Sequence, residues 1–428
     1  MESTTARAPR TRPHPFRRGV VTLACVGLVA TSGAALASPA MALTPASAAS
    51  AGRPEHGHGN PLEPATRAVV AAGAVGHVAY VDDGRRVAVA VAGLADRATG
   101  RALRPDDQFE IGSNTKTFVS VLALQLVARG QLKLTDSVEK VLPGVVPGGD
   151  RVTVKMLLQH TSGLFNYTAD EPFFQSVLAD PKRVWTPAEL VAVAVRHRPD
   201  FAPGTSWNYS NTNYVLVGMI VEKVAGHPVA DLIEHRIARP LGLTHTYLAT
   251  TTATNTGRGY AHGYVGSFTG ARPAYTDVSG WALGGWAGTA GAVISTPAEL
   301  ARFFSAVLAG RLLPPAQLAA MQQTVPLPKD FGGVVGGYGL GLMRIETPCG
   351  TVWGHGGDTL GHHSTAVTTP DGRGAAVTDT TTEPSSVDGP NPKALALVAA
   401  SGRAELVGIC RMLGKPVPAQ ARTPAAAA

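Results

Sequence analysis

Apolar and polar positions follow one rhythm near the two ends of the chain and another through its middle. The chain predicts a helix from Pro61 through Ala72. Two short apolar runs follow, Gly76–Val81 and Arg86–Ala92, split by Asp82-Asp83-Gly84, and they predict a β-hairpin. Gln108 to Gly112 reads as a strand, and Phe118 to Ala128 as a helix-like apolar run. Further helices are predicted at Pro187–Arg196, behind a Thr186 N-cap, at Tyr214–Val224 and at Ala298–Leu308. Short strands are then predicted at Tyr338–Arg344, Thr351–Gly354, His363–Thr368 and Gly374–Thr380, and a last helix at Pro392–Leu413.

The order is strands, helices, strands, helix. It predicts an α/β plus all-α fold: an antiparallel sheet formed from both chain ends and flanked by helices, with a mostly helical inserted domain. The sheet domain is drawn over 61–116 and 286–414, and the helical domain over 117–285. Residues 43–60 read as a flexible leader and 415–428 as a disordered tail. No 20–50-residue repeat is visible.

Composition narrows this reading. With 44% hydrophobic and 16% charged residues, the 428-residue chain is expected to be soluble, with one or two cores. The 49 Gly and 32 Pro imply many loops. More than half of the net charge of +7 sits at Arg7, Arg10, Arg12, Arg17 and Arg18 against Glu2. The remainder is too small to argue for nucleic acid. Those arginines precede an apolar stretch from Val20 to about Ala30 and two small-x-small sites, Ala35-Leu36-Ala37 and Ala40-Met41-Ala42. Together they predict a signal peptide over 1–42, cleaved after Ala42, and a secreted protein. The apolar stretch is shorter than the ~20 residues of a membrane span, so no stable membrane anchor is expected. Cys25 falls in the signal. The remaining Cys349 and Cys410 are then an even pair in an oxidising compartment, which favours a disulfide. Closing that loop stabilises by roughly 4 kcal/mol in the chain-entropy model.

The chemistry is carried by three short motifs. Ser113-Asn114-Thr115-Lys116 stands at a helix start. There a serine and a lysine lie one turn apart on one face, and the amine can take the hydroxyl proton. An S-x-x-K arises about twice by chance in a chain of this length, and Ser137 to Lys140 is a second copy. Tyr209-Ser210-Asn211 is the only Y-x-N, and His355-Gly356-Gly357 the only H-x-G. As nucleophile, Ser113 needs a base. Lys116 is the candidate, and to be neutral near pH 7 its pKa must fall from about 10.4 by roughly three, about 4 kcal/mol, through burial or nearby positive charge. Tyr209 is placed to relay a proton to the leaving group and to activate water. Asn211 can donate to a substrate carbonyl and hold Lys116. His355 either anchors an anion, if protonated, or bonds to Tyr209, if neutral.

In this order the motifs resemble those of the serine penicillin-recognising hydrolases, the superfamily of class C β-lactamases and D,D-peptidases. The likeness is strongest to secreted actinomycete D-alanyl-D-alanine carboxypeptidases and spans about Pro61 to Lys415. It includes Phe109-Glu110-Ile111-Gly112-Ser113, Gln159-His160-Thr161-Ser162-Gly163-Leu164, Tyr209-Ser210-Asn211-Thr212-Asn213, Ala290-Gly291-Ala292-Val293-Ile294-Ser295 and Tyr338-Gly339-Leu340-Gly341-Leu342. It also includes the Cys349/Cys410 pair. The resemblance implies a β-lactamase/transpeptidase-like fold and an oxyanion hole made by the backbone N–H groups of Ser113 and Asp358. It implies a cleft lined by Phe173, Ser176 and Trp286, with Arg344, Gly356 and Gly357 beside the substrate. Ser137 has no counterpart there.

The pattern departs from the carboxypeptidases at the third motif, where H-T-G-T is expected and Gly356 and Asp358 replace both threonines. A carboxylate beside a substrate carboxylate costs roughly 4 kcal/mol at 4 Å in an effective dielectric of 20. The expected activity is a D-alanyl-D-alanine carboxypeptidase acting on peptidoglycan stem peptides, with β-lactams as inhibitors. An esterase, β-lactamase or D-aminopeptidase-type hydrolase on the same fold is the alternative. No cofactor and no metal are expected; a metal hydrolase fits poorly, because the adjacent His362 and His363 point to opposite faces of a strand. The protein is expected to be a monomer.

Overall fold

A computed structural model describes residues 60–250, 259–329, 331–389 and 391–419. The expected signal peptide, nearly all of the leader and residues 420–428 of the expected tail lie outside the described residues. In chain order the elements that matter are α1 (Leu62–Ala71), β1 (Gly76–Asp82), β2 (Val87–Asp96), α2 (Thr115–Ala128), α3 (Asn211–Ala225) and α4 (Pro297–Leu308). They are followed by β3 (Met343–Thr347), β4 (Gly350–Asp358), β5 (His363–Thr368), β6 (Ala375–Thr380) and α5 (Pro392–Met412).

A nine-stranded sheet runs Arg101–Ala102, β2, β1, β6, β5, β4, β3, Gly336–Tyr338, Val325–Pro326, antiparallel throughout. The two chain ends meet where β1 pairs with β6, His77 opposite Thr380 and Asp82 opposite Ala375. This is the predicted antiparallel sheet. One face is covered by α1 and α5, through Leu62, Val81, Ala376, Val407 and Ile409. The other face meets α4 and the helical part through Ala366, Val377, Phe303 and Val307.

Helix α2 explains the depth of the site. Phe118, Val119, Val121, Leu122, Leu124 and Leu126 are apolar on every side, so the helix has no face to give to water and becomes core. Phe118 stacks on Phe303 of α4 with ring centroids 3.5 Å apart. The predicted helix behind Thr186 forms as Pro187–Val195, with a capping box between Thr186 and Glu189. Ser137 of the second S-x-x-K caps a short helix by accepting the Lys140 N–H at 3.2 Å.

Several boundaries differ from the sequence reading, among them β4, which runs on to Asp358 rather than ending at Gly354. Tyr338–Arg344 is not one strand but a hairpin. Gly336–Tyr338 turns into β3 with the Gly339 N–H on Leu342 O at 2.8 Å. The turn needs Gly341, which has φ +73° and where a Cβ would run into Ser120 and Tyr214. Helix α3 starts at Asn211 rather than Tyr214, which brings the Y-x-N motif onto the helix start. The inserted segment is mostly helical but adds the strands Tyr264–Ser267 and Ala274–Asp277, which form a small sheet with Thr382–Pro384.

Cys349, in the β3–β4 turn, is disulfide-bonded to Cys410 on α5, with Cα atoms 5.2 Å apart. Val417 packs beside this pair, and Lys415 N–H bonds to Cys410 O at 2.8 Å. Among the described residues, no helix is long and apolar enough to cross a membrane.

Candidate active site

Ser113 sits in a single 3₁₀ turn, Gly112–Asn114, that runs directly into α2. Asn114 clamps this turn by donating from Nδ2 to Ile111 O at 2.9 Å and to Ser364 Oγ on β5 at 3.0 Å. One turn on, Lys116 is fully buried. Its Nζ lies 2.8 Å from Ser113 Oγ, 2.8 Å from Asn211 Oδ1 and 2.7 Å from Ala290 O. The last two are carbonyl oxygens and only accept. An amine that donates to both keeps its lone pair for the Ser113 proton, which is the geometry of a nucleophile and its base.

Asn211 is itself fixed on both sides. Its backbone N–H donates to Asn166 Oδ1 at 3.0 Å, and its Nδ2 donates to Thr168 Oγ1 at 3.1 Å. Its Oδ1 is thereby aimed at Lys116. The Tyr209 ring lies 4.8 Å from Lys116 Nζ. The expected Ser113, Lys116, Tyr209 and Asn211 therefore converge.

His355 reaches this cluster by a route the sequence did not suggest. The backbone N–H of Ser210 donates to His160 Nδ1 at 3.2 Å, and Asn213 Nδ2 lies 3.0 Å from the same atom. With Nδ1 accepting, His160 Nε2 carries the proton and donates to the Tyr338 hydroxyl at 3.2 Å. Tyr338 in turn donates to His355 Nε2 at 2.9 Å, and His355 Nδ1–H donates to Gly356 O at 2.5 Å. The donors set one direction for the whole chain and leave both imidazoles neutral. Burial agrees: it holds His160 well below its ordinary value and His355 down at about 3. Of the two expectations for His355, the protonated anion anchor is thus corrected. The neutral form stands, but its Nε2 is bonded to Tyr338, while the Tyr209 ring is 6.4 Å away, centroid to centroid.

The third motif is shaped by glycine. Gly112 has φ +51°, and a Cβ on it would come within 2.6 Å of the Asp358 nitrogen. A Cβ on Gly357 would collide with Ile111 O and lie 2.8 Å from the Ser113 nitrogen. Two bare backbones therefore run against each other, bringing the proposed oxyanion donors, the N–H groups of Ser113 and Asp358, to one place. At Gly356 an added Cβ meets nothing nearer than Ser364 O at 3.8 Å.

The Asp358 carboxylate does not face the substrate side. It is three residues from His355 on one strand, so it points through the other face, where Oδ1 lies 2.5 Å from His363 Nδ1. The repulsion expected from the sequence is absent for this reason. Arg344 pairs in register with Trp353 and so shares the face of His355, but its guanidinium is ion-paired with Glu346. Phe173 is buried edge-on against Tyr167 and Trp185. Ser176 donates back to Phe173 O of its own helix at 2.5 Å. Trp286 is mostly buried and, with Glu110, Trp281 and Leu360, borders a small pocket. Its carbonyl accepts from Tyr167 Oη at 2.7 Å.

Sequence reasoning gave no role to His160 or Tyr338, although both stand in quoted motifs. The backbone carries a signal at His160: with φ +59° it is the one non-glycine left-handed residue among the described residues. Such strain is retained where surrounding contacts fix it, here Ser210, Asn213 and Tyr338.

The profile of the β-lactamase family matches residues 50–400. Esterase EstB of Burkholderia gladioli is 37% identical over 161 residues, which are 35% of this chain and 41% of that protein. The sequence match to this curated relative thus spans about two fifths of its length. A D-stereospecific amidohydrolase from Streptomyces sp. superposes with a TM-score of 0.69 at 40% identity, covering 79% of this chain and 97% of the other. The D-amino acid amidase of Ochrobactrum anthropi SV3, in its complex with L-phenylalanine amide, does so with a TM-score of 0.69 at 26% identity, covering 82% and 97%.

Proposed function

The chain belongs to the β-lactamase family of serine hydrolases, and from that premise we propose that it hydrolyses amides and esters of D-amino acids whose leaving group bears no carboxylate. One observation carries this reading. Where a carboxypeptidase needs a cation for the substrate's terminus, the third motif offers a neutral His355 and Gly356, and Arg344 is held by Glu346. The similarity to a D-stereospecific amidohydrolase supports it.

In the reaction, Ser113 Oγ attacks the carbonyl as its proton passes to Lys116 Nζ. The oxyanion is received by the N–H groups of Ser113 and Asp358, each such donor being worth about 3–4 kcal/mol. The leaving amine takes a proton by way of Tyr209, and the C–N bond breaks to leave an ester on Ser113. Water, losing its proton to the same groups, then releases the acid and restores the serine. β-Lactams acylate Ser113 by the same first step. The arginine-rich N-terminal segment supports export from the cell.

A second reading is a D-alanyl-D-alanine carboxypeptidase on peptidoglycan stem peptides. Arg344 favours it, because it lies on the face of His355 and gains a carboxylate partner if Glu346 yields. Comparing a D-Ala-D-Ala peptide with its C-terminal amide, a p-nitrophenyl ester and nitrocefin decides. Faster turnover of the amide and ester than of the acid supports our reading, and preference for the acid establishes the carboxypeptidase instead.

A further inference from the structure

On the face of β4 turned away from Ser113, one imidazole meets three carboxylates. His363 Nδ1 lies 2.5 Å from Asp358 Oδ1 and 3.7 Å from Glu383 Oε1. Its other nitrogen, Nε2, lies 2.9 Å from Glu405 Oε1 on α5. One donor atom each from Asp358, His363 and Glu383 fall within 4.8 Å of one another. A separate observation concerns Glu383. Its Oε1 is enclosed yet has no hydrogen-bond donor among the described residues. With His363, Thr382 and Ser401 it borders a small pocket.

We propose that Asp358, His363 and Glu383 are three ligands for a divalent first-row transition cation of the Zn²⁺ type, with Glu405 orienting His363 from behind. The donor set selects the ion. Imidazole beside two carboxylates suits Zn²⁺ and its neighbours better than Mg²⁺ or Ca²⁺, which take oxygen alone. A carboxylate on the far nitrogen of a ligating histidine fixes its tautomer and sharpens its basicity, the position Glu405 holds. Three protein ligands leave the fourth position of a tetrahedral site to a water.

Binding the ion replaces the hydrogen bond between His363 and Asp358, and those two atoms part to roughly the 3.3 Å that bonds of about 2.0 Å require. The ion would lie on the face of β4 turned away from Ser113, so it braces rather than catalyses: it ties the end of β4, whose Asp358 N–H faces the nucleophile turn, to β5 and Thr382–Pro384.

The full chain, stripped with chelator and exchanged into chelator-free buffer, is titrated with ZnCl₂ by calorimetry at pH 7.5 and 6.0, and with CoCl₂ by visible absorption. One equivalent is expected, at least tenfold tighter at the higher pH, with a rise in Tm. Glu383→Gln should weaken that site at least 100-fold and abolish the Tm rise, and Glu405→Gln should weaken it 10- to 100-fold. Glu383→Gln should leave metal-free ester hydrolysis unchanged, since it touches no reacting group. If Glu383→Gln fails to fold, Glu405→Gln carries the same comparison. No binding to the wild type, or binding equal in all three proteins as a histidine-bearing leader would give, overturns the proposal.

Discussion

The hydroxyl of Tyr338 is 2.9 Å from Nε2 of His355 and donates to it, because its oxygen already accepts a hydrogen bond from His160 Nε2–H on the other side. Tyr338→Phe removes that hydroxyl and strands two buried ring nitrogens. A loss of about 1–3 kcal/mol in urea unfolding is expected. Labelling of Ser113 by a fluorescent penicillin should slow but persist, since Lys116 is untouched. A stability equal to wild type would mean that the relay is not formed.

Buried imidazoles set an acid limit. His355 and His77 are both lowered from 6.5 to about 3, mainly by burial. Between those values the unfolded chain binds protons that the native protein refuses. Stability from this source is complete above pH 6.5 and is lost as pH falls to about 3, at ~1.4 kcal/mol per pH unit for each group. His363 is raised and runs the other way, its contribution being lost as pH rises through its native value. Unfolding free energies at pH 7, 5.5 and 4.5 should therefore fall less steeply for His355→Asn than for wild type. Parallel curves would assign the acid slope to other groups.

Neighbouring glycines should respond oppositely. Gly357→Ala forces a Cβ into Ile111 O and against the Ser113 nitrogen, so a loss of more than 2 kcal/mol and at least a 100-fold fall in kcat are expected. At Gly356 a Cβ makes only an ordinary contact, 3.8 Å to Ser364 O, so Gly356→Thr should fold. By restoring a hydroxyl it should raise the turnover of a D-Ala-D-Ala peptide relative to its amide. An unchanged ratio would show that this position does not touch the leaving group.

Asn211→Ala takes one carbonyl oxygen from Lys116 Nζ while leaving Ala290 O and Ser113 in place. A 10- to 100-fold fall in kcat/KM on ester substrates is expected, about 1.4–2.7 kcal/mol. Ser113→Ala should abolish acylation altogether, as read by intact mass after penicillin treatment. Label remaining on that variant would move the nucleophile elsewhere.

Replacing Cys349 and Cys410 with serine should cost about 2–5 kcal/mol. In the wild type, thiol titration of the denatured, unreduced protein should find neither of these two cysteines reactive.

Much of this was legible before any coordinate. The two-ended sheet follows from the order of apolar runs, because β1 has no partner strand near it except β2. The convergence of Ser113, Lys116, Tyr209 and Asn211 follows from motifs whose chemistry needs one another. The strand boundaries at Tyr338–Arg344 were hidden because Gly339 and Gly341 leave the apolar pattern unbroken where the backbone turns. His160 and Tyr338 were missed since a buried histidine and tyrosine look like packing until their bonds are counted. Phe173 is ambiguous for the converse reason: an aromatic residue in a helix serves core and cleft alike, and only the structure shows its packing on Tyr167 and Trp185. The side of the sheet taken by Asp358 turns on strand parity, and the sequence predicted β4 only as far as Gly354, short of it.

The pairing of β1 with β6 has a consequence for biogenesis. His77 and Thr380 are neighbours across the sheet but 303 residues apart in the chain. A ribosome that has not yet released β6 holds β1 with one edge bare and α1 without α5. Closure of so long a loop is slow. The nascent chain thus stays open and threadable until β6 has emerged, and a truncation before β6 leaves a half-sheet rather than a smaller enzyme.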